Sequence, residues 1–251
     1  MPGIEIDTVS KRFGGVLAVD EVSLNLQVGE IHGLIGPNGS GKTTLLNLLS
    51  GYYDLDGGTI KVDEHLLNDK SVQARVSLGV ARTFQKPKLL ESLSVLDNAM
   101  LGGWRDVQTG FMKTALSVGR TRKEERDLRD RAEEVLHGVG LGHLVHEQAG
   151  RLDHAEQRFL EIARSLCMRP KYILLDEPAG GLTEHEIEQL AVIVTTMRDV
   201  GLGVLIVEHH TDFVFRISDR VTTLDLGKRI ACGAPDAVRN DPEVIRVYLG
   251  A

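Results

Sequence analysis

The chain has 251 residues, enough for one large domain or for a core with a subdomain. Its content of 42% hydrophobic and 26% charged residues is typical of a globular protein, and the net charge of −7 gives no basic bias that would indicate nucleic-acid binding. No uninterrupted apolar run approaches a membrane span, and the N-terminal sequence MPGIEID lacks the basic and apolar regions of a signal peptide. Two isolated cysteines, Cys167 and Cys232, indicate a reducing compartment, without a disulfide scaffold or a metal site. Any membrane role is therefore expected to depend on a partner.

The N-terminal third predicts three strands. Alternation of apolar and polar residues predicts a strand over 4–9 and another over 22–26, with a break between them at 11–15. The apolar run 31–35 predicts a strand, and Leu45 to Leu49 predicts a helix.

A glycine-rich stretch, GPNGSGKTT, lies between the strand predicted over 31–35 and that helix. It matches G-x-x-x-x-G-K-[ST], the pattern of a phosphate-binding loop. Glycines let the backbone amides point inward, and the start of the following helix adds a partial positive charge. Lys42 would add a full charge at the outer phosphates, and the Thr43 hydroxyl would coordinate Mg²⁺. The alternative, a glycine-rich turn that binds nothing, is disfavoured by the full spacing. The predicted ATP-binding residues of the loop are Gly36, Asn38, Gly39, Ser40, Gly41, Lys42, Thr43 and Thr44.

The middle of the chain changes in character. Gly51 is a plausible helix stop, and short strands are predicted over 59–62 and 80–84, the second ending at Gln85. Helices are predicted over 95–101, 120–137 and 156–168.

Strand character returns at 172–175, at 204–207 and as a hairpin over 221–231, with an amphipathic helix over 184–199. The order is thus β-rich, α/β, helical and α/β again. It predicts an ATP-binding core that is interrupted by a helical subdomain.

Two carboxylates, Asp176 and Glu177, follow the apolar strand 172–175. Ligand groups in parallel sheets lie at the carboxyl ends of strands. Asp176 is predicted to hold Mg²⁺ and Glu177 to accept a proton from the attacking water. Two solvated acids at a strand end would be the better interpretation if no phosphate loop were present.

Taken together, these motifs resemble the ATP-binding cassette (ABC) ATPases over essentially the whole chain. The resemblance implies an α/β fold: a P-loop NTPase (RecA-like) core with an antiparallel β subdomain, over 1–88 and 168–251, and an inserted helical subdomain, over 89–167. It implies that Phe13 stacks on adenine, that Gln85 contacts Mg²⁺ or water and faces a transmembrane partner, and that His209 lies near the γ-phosphate. The segment 180–183 matches the loop at the dimer interface, although Thr183 stands where the family usually has Asp or Asn.

The family signature, Leu-Ser-Gly-Gly-Gln, is altered in this chain. The corresponding region consists of Leu152, Asp153, His154, Ala155, Glu156 and Gln157. Asp153 can cap the following helix, and its spacing from Glu156 is that of a capping box, which stabilises a helix by ~1 kcal/mol. In the family, the serine that Asp153 replaces faces the γ-phosphate of the nucleotide held by the opposite subunit. A carboxylate about 4 Å from this phosphate charge would be repelled by ~4 kcal/mol at an effective dielectric of ~20. The signature is therefore expected to bind phosphate poorly.

Several segments are similar to the ATP-binding subunits of branched-chain amino-acid importers, or of importers of urea and short amides: 82–85, 161–164, 176–182 and 241–250. The resemblance implies ATP and Mg²⁺ as ligands, and transmembrane permeases, a second ATPase subunit and, indirectly, a solute-binding protein as partners. It places the chain at the cytoplasmic face of the plasma (inner) membrane. Two alternatives remain: a non-transport ATPase of the same fold that acts on nucleic acid or ribosomes, and a nucleotide-binding regulatory subunit with little hydrolysis.

Overall fold

A computed structural model describes residues 3–103 and 118–249. The described residues form two units, one within 1–85, 171–180 and 187–251, the other within 86–170 and 181–186. Most helices and strands of both units are predicted correctly from the sequence. All residues that line the candidate site belong to the first unit.

The first sheet of this unit is antiparallel and has the strand order β2-β1-β4-β5. Its strands are β1 (Gly3–Phe13), β2 (Val16–Gln27), β4 (Gly57–Val62) and β5 (His65–Leu66). The short strand β5 was not predicted.

The predicted break at 11–15 is wrong for its first three residues. β1 continues through them, with Arg12 opposite Leu17 and Phe13 opposite Val16, and only residues 14 and 15 form the turn. Asp56 supports this extension because its carboxylate accepts hydrogen bonds from the Arg12 amide at 2.7 Å and from Lys11 Nζ at 2.9 Å.

The second sheet has the order β10-β9-β3-β8-β7-β6 and is parallel except for β10. Its strands are β3 (Ile31–Ile35), β6 (Val80–Arg82), β7 (Tyr172–Asp176), β8 (Gly203–Val207), β9 (Arg220–Asp225) and β10 (Lys228–Gly233). Every residue of β3, β7 and β8 is buried, as expected for parallel strands covered on both faces. Since these strands are parallel, their carboxyl ends lie at one edge of the sheet.

Helix α1 (Lys42–Ser50) packs within the core that both sheets share. Its four leucines are fully buried, together with β1 and β2 residues such as Ile6 and Leu26 and with Leu174 and Leu205 of the parallel sheet. The helix ends at Gly51, which has φ +82°, so the predicted stop is confirmed.

A buried arginine holds the carboxyl end of α1. Arg75, in the unpredicted helix α2 (Val72–Ser77), is 2% exposed and donates only to backbone carbonyls. These are the carbonyls of Leu48, Leu49, Leu67 and Lys70, at 2.5–2.9 Å.

We expect Arg75→Gln to lower the free energy of unfolding by about 3 kcal/mol, because several charge-assisted hydrogen bonds are lost and α1 carbonyls are left unsatisfied. Equilibrium denaturation in urea measures this change. Lys61→Gln, at an exposed site on β4, is the control, and an equal effect of the two substitutions would contradict the assignment.

The second unit is helical and contains α3 (Val95–Gly103), α4 (Val118–Gly138) and α5 (His154–Leu166). Leu128, Ala132 and Leu136 form the buried face of α4 at the spacing of successive helical turns. α3 and α5 approach closely, since a Cβ at Gly102 would lie 1.8 Å from the carbonyl oxygen of Arg164.

The remaining helices are α6 (Glu184–Asp199), α7 (Thr211–Ile217), α8 (Pro235–Arg239) and α9 (Pro242–Leu249). The predicted bounds of α6 are confirmed, whereas α7, α8 and α9 were not predicted. Within the two described ranges, no helix combines the length and apolarity needed to cross a membrane.

Candidate nucleotide-binding site

The phosphate loop connects β3 to α1 and is held tightly against β2. Gly41 precedes the helix with φ +103°, and a Cβ at this position would lie 2.4 Å from the carbonyl oxygen of Ala18. A side chain would therefore displace the loop from β2. Gly39 has φ +79°, and the space where its Cβ would lie is open to 4 Å.

This open side of the loop faces a cavity of about 390 Å³. That volume is within the roughly 300–1,000 Å³ typical of ligand pockets. Candidate ATP-binding, metal-binding and catalytic residues from four separate segments of the chain line this cavity. The lining consists of Ala18, Asn38, Gly39, Ser40, Gly41, Lys42, Thr43, Thr44, Gln85, Glu177 and His209.

The Lys42 side chain is folded back onto the loop. The residue is 4% exposed, and its Nζ donates to the carbonyl oxygens of Gly36 at 2.7 Å and Pro37 at 2.9 Å. Burial lowers the pKa of Lys42, and the charges of Glu177 and Asp176 oppose this shift. A phosphate would provide a stronger partner for this ammonium group than neutral carbonyls do.

Glu177 and His209 form a pair beside the cavity. Glu177 Oε1 lies 2.9 Å from His209 Nε2, although the two residues follow different strands, β7 and β8. Glu177 has φ +50°, a costly conformation for a residue with a side chain, and its amide donates to the carbonyl of Val207 at 2.9 Å. A strained backbone conformation at Glu177 thus accompanies the placement of its carboxylate next to the histidine.

Glu208, which sequence reasoning did not single out, connects the loops that carry this pair. It is 2% exposed, and its carboxylate accepts hydrogen bonds from the amides of Ala179 at 2.5 Å and His209 at 3.1 Å. Burial raises the pKa of Glu208, while its hydrogen bonds to backbone amides oppose the shift. No feature of the sequence around Glu208 indicates that its carboxylate connects two loops of the site.

Asp176, the last residue of β7, is 2% exposed and is not among the described residues that line the cavity. Its charge nevertheless acts on Lys42. Its Oδ2 accepts a hydrogen bond from Arg82 Nη2 at 2.9 Å, and its amide donates to the Thr83 hydroxyl at 3.4 Å. Arg82 belongs to the segment 82–85 that carries the family resemblance, but no role was predicted for it.

Comparisons with known proteins identify the family of the chain. Residues 19–180 match the family model described as ABC transporter, and residues 228–251 match that of the branched-chain amino acid ATP-binding cassette transporter. The chain belongs to the ABC transporter family. The predicted family, the α/β fold class and the assignment as an ATP-binding transport ATPase are thereby confirmed.

Individual relatives in the ABC family cover nearly the whole chain. It is 38% identical to the high-affinity branched-chain amino acid transport ATP-binding protein LivG of Escherichia coli (strain K12), over 99% of this chain and 98% of the relative. It is 35% identical to the corresponding protein BraF of Pseudomonas aeruginosa, with the same coverage. An ATP-binding cassette of an ABC transporter, solved in its ADP conformation, superposes with a TM-score of 0.86 and 30% identity over 100% of both chains.

Phe13, the expected adenine platform of the ABC fold, lies at the β1–β2 turn and outside the residues that line the cavity. Its ring is 43% exposed and meets Tyr53 edge-on, with 5.2 Å between centroids. The role of Phe13 stays a prediction, and an exposed ring leaves a face available for stacking.

The altered ABC signature lies in the second unit at the start of α5. Asp153 Oδ1 accepts from the Glu156 amide at 2.8 Å, and Glu156 Oε2 accepts from the Asp153 amide at 2.9 Å, so the predicted capping box is confirmed. Ala155 is buried, and Gln157 Nε2 donates to the carbonyl oxygen of Leu152 at 3.0 Å. His154, which follows Asp153, packs against Gly181: a Cβ on Gly181 would lie 2.9 Å from His154 Nε2.

Thr183 immediately precedes α6. Its hydroxyl and amide both donate to Glu186 Oε2, at 2.8 and 2.6 Å, and its hydroxyl oxygen accepts from the Glu186 amide at 3.4 Å. These bonds give Thr183 a helix-capping function that does not require the Asp or Asn usual in the family.

Mg²⁺ fits the available donors. The Thr43 hydroxyl and Gln85 carboxamide line the cavity, and Asp176 ends the adjacent strand. Such oxygen donors suit Mg²⁺, which keeps several waters and binds through one or two side chains plus substrate phosphates. Within the described ranges, no group of three or more His, Cys, Asp or Glu side chains could hold a metal ion.

Proposed function

We propose that the chain hydrolyses ATP within an importer of branched-chain amino acids or related small polar solutes. The observation that carries this proposal is the similarity to LivG and BraF over 99% of the chain, supported by the match of residues 228–251. As part of the same proposal, the chain works at the cytoplasmic face of the inner membrane, with permease subunits, a second ATPase subunit and, indirectly, a solute-binding protein.

In this proposal the phosphate loop binds ATP through its inward amides, and Lys42 exchanges its two carbonyl partners for phosphate oxygens. Thr43, Gln85 and Asp176 hold Mg²⁺, which supplies positive charge at the phosphates when bound. Phe13 stacks on adenine.

Glu177 orients the attacking water and accepts its proton. His209 steadies the carboxylate and the γ-phosphate, a role supported by the 2.9 Å contact between the two side chains. Gln85, which ends the segment 82–85 and lines the cavity, contacts Mg²⁺ or water and couples nucleotide binding to the permease.

The experiment that tests this function is reconstitution with the permeases and solute-binding protein in proteoliposomes. ATP-dependent uptake of leucine, isoleucine or valine, with urea and acetamide as comparison solutes, is the expected result. Uptake of urea or the amide alone would correct the solute class, and ATPase activity without uptake of any solute would contradict the transport role. The non-transport alternative is not supported by the relatives named above, which are all transport proteins.

A second candidate function, nucleotide-binding regulation with slow hydrolysis, is favoured by Asp153 and Ala155 in the signature region. In the sandwich dimer that the family resemblance implies, the signature of one subunit faces the γ-phosphate held by the other. Here the Asp153 carboxylate replaces a hydroxyl donor, and Ala155 adds a Cβ. A heteromeric pair would then contain one efficient and one poor ATP site, and a homomeric pair two poor sites.

We expect Asp153→Ser/Ala155→Gly to raise the ATPase turnover of the chain alone by at least about tenfold, because relief of a third of the ~4 kcal/mol repulsion suffices. Serine preserves the helix cap. Steady-state phosphate release measures turnover. Asp153→Asn separates the effect of charge, since it keeps the cap and removes the carboxylate. Brisk and equal turnover of the parent chain and the double variant would contradict the weakened signature.

A further inference from the structure

One guanidinium joins three parts of the nucleotide site. Arg82 ends β6, three residues before Gln85, and its side chain is 7% exposed. Nη2 donates to Asp176 Oδ2 at 2.9 Å. Nη1 donates to Asn47 Oδ1 and to Ser50 Oγ of the phosphate-loop helix, both at 2.7 Å.

Two aromatic rings confine the same group. The Cζ atom of Arg82 lies 5.7 Å from the centroid of Tyr52 and 5.3 Å from that of Phe84. The two rings meet edge-on at 80°, with their centroids 5.8 Å apart. These contacts restrict the planar guanidinium, so that its two Nη groups point in fixed directions. A lysine would carry the charge but could not reproduce this fork.

Stability alone is a weak explanation for the pair. Burying an arginine with a carboxylate costs desolvation, and apolar replacements of buried ion pairs are often neutral or stabilising. The partner in this case is also the strand-end carboxylate beside the phosphate loop. Residues that hydrogen bond to a metal ligand commonly influence the affinity of the site for the metal.

We propose that Arg82 is a positioning residue for the divalent cation, which holds Asp176 in the orientation that takes Mg²⁺ and ties that orientation to the phosphate-loop helix. This inference rests on the proposed function, in which Asp176 is a ligand of Mg²⁺. Arg82 contacts Asp176 and the α1 residues Asn47 and Ser50 but does not line the cavity. It therefore acts through these residues and not on the substrate.

The sign of the effect is diagnostic. The positive charge of Arg82 repels a nearby cation, so the loss of charge alone would lower the Mg²⁺ concentration that the site requires. The loss of orientation has the opposite effect. We expect orientation to dominate, with a rise of about tenfold in the Mg²⁺ concentration for half-maximal effect.

The test measures binding of a fluorescent ATP analogue to the full chain across a Mg²⁺ titration, with the affinity in EDTA as reference. Arg82→Gln is expected to shift the Mg²⁺ midpoint upward by about tenfold and to change the affinity in EDTA by less than about twofold. An unchanged or lowered midpoint would overturn the proposal.

Arg82→Lys is the second variant, because it keeps the buried charge and loses the fork. A midpoint close to that of Arg82→Gln supports a role in orientation, and a midpoint equal to that of the parent chain overturns it. This variant also gives the readout if Arg82→Gln does not fold.

Arg75→Gln is the matched control. Arg75 is also a buried arginine that contacts α1, but its hydrogen bonds go only to backbone carbonyls. This substitution is expected to lower stability without moving the Mg²⁺ midpoint. An equal midpoint shift in Arg75→Gln would show a general loss of stability and would overturn the role of Arg82.

Asp176→Asn separates the inference from its premise. If this substitution leaves the Mg²⁺ midpoint unchanged, the proposed metal role of Asp176 fails. If it raises the midpoint and the Arg82 variants do not, the inference about Arg82 alone is overturned.

Discussion

Glu177→Gln is expected to bind ATP with nearly unchanged affinity and to hydrolyse it about 10²- to 10⁴-fold more slowly, the range of general-base catalysis. Glutamine keeps the shape of the side chain and can still hydrogen bond with His209, from which the carboxylate lies 2.9 Å. It cannot accept the proton of the attacking water. Nucleotide binding by fluorescence and phosphate release by the purified chain would separate the two effects.

Glu188→Gln is the control for this substitution. Glu188 is an exposed carboxylate on α6 that pairs with Arg216, and it lies outside the residues lining the cavity. Its replacement is expected to leave turnover within about twofold, as is usual for exposed positions. Unchanged turnover in Glu177→Gln would remove Glu177 from the role of base.

The phosphate loop and its flanking elements could be predicted from the sequence because local signals agree there. The apolar run 31–35 predicts a strand with the bounds observed for β3, and the leucines of α1 follow a loop whose spacing is specific. Glu177 and His209 follow apolar strands of the same kind, so parallel pairing places them at one edge of the sheet.

The short C-terminal helices could not be predicted on the same basis. α7 has seven residues and α8 has five, too few turns for a periodic pattern to emerge. The extension of β1 to Phe13 was missed for a different reason. Besides pairing with β2, the extension is held by hydrogen bonds to Asp56, more than 40 residues away, which no local pattern can show.

The same limit applies to the site. Arg82 and Asp176 are 94 residues apart, and Glu208 connects loops after two different strands. A buried arginine or glutamate in an apolar segment is evident in the sequence, but its partner is not. Sequence motifs therefore identify residues that face the ligand, whereas the groups that hold those residues require the fold.

Lys42→Ala is expected to weaken ATP binding by about 3 kcal/mol, roughly a hundredfold in Kd, which is within the 2–5 kcal/mol typical for loss of one partner of a buried charge pair. The lysine is 4% exposed and held by the carbonyls of Gly36 and Pro37. Its removal takes the cation from the end of the loop and leaves the backbone cradle. Lys42 is the first residue of α1, and alanine favours helix formation, so α1 is expected to remain folded.

One control variant and one measurement on the assembled transporter make the Lys42 result decisive. Lys61→Ala removes an exposed lysine from β4 and is expected to leave the Kd unchanged. In the assembled transporter, Lys42→Ala is expected to reduce ATP turnover and solute uptake together, because the good site of a heteromeric pair would use this phosphate loop. If binding by the isolated chain is lost but turnover and uptake by the complex persist, the chain is regulatory and its partner carries the hydrolysis. If the isolated chain binds ATP equally well with and without Lys42, the cavity beside the loop is not the nucleotide site.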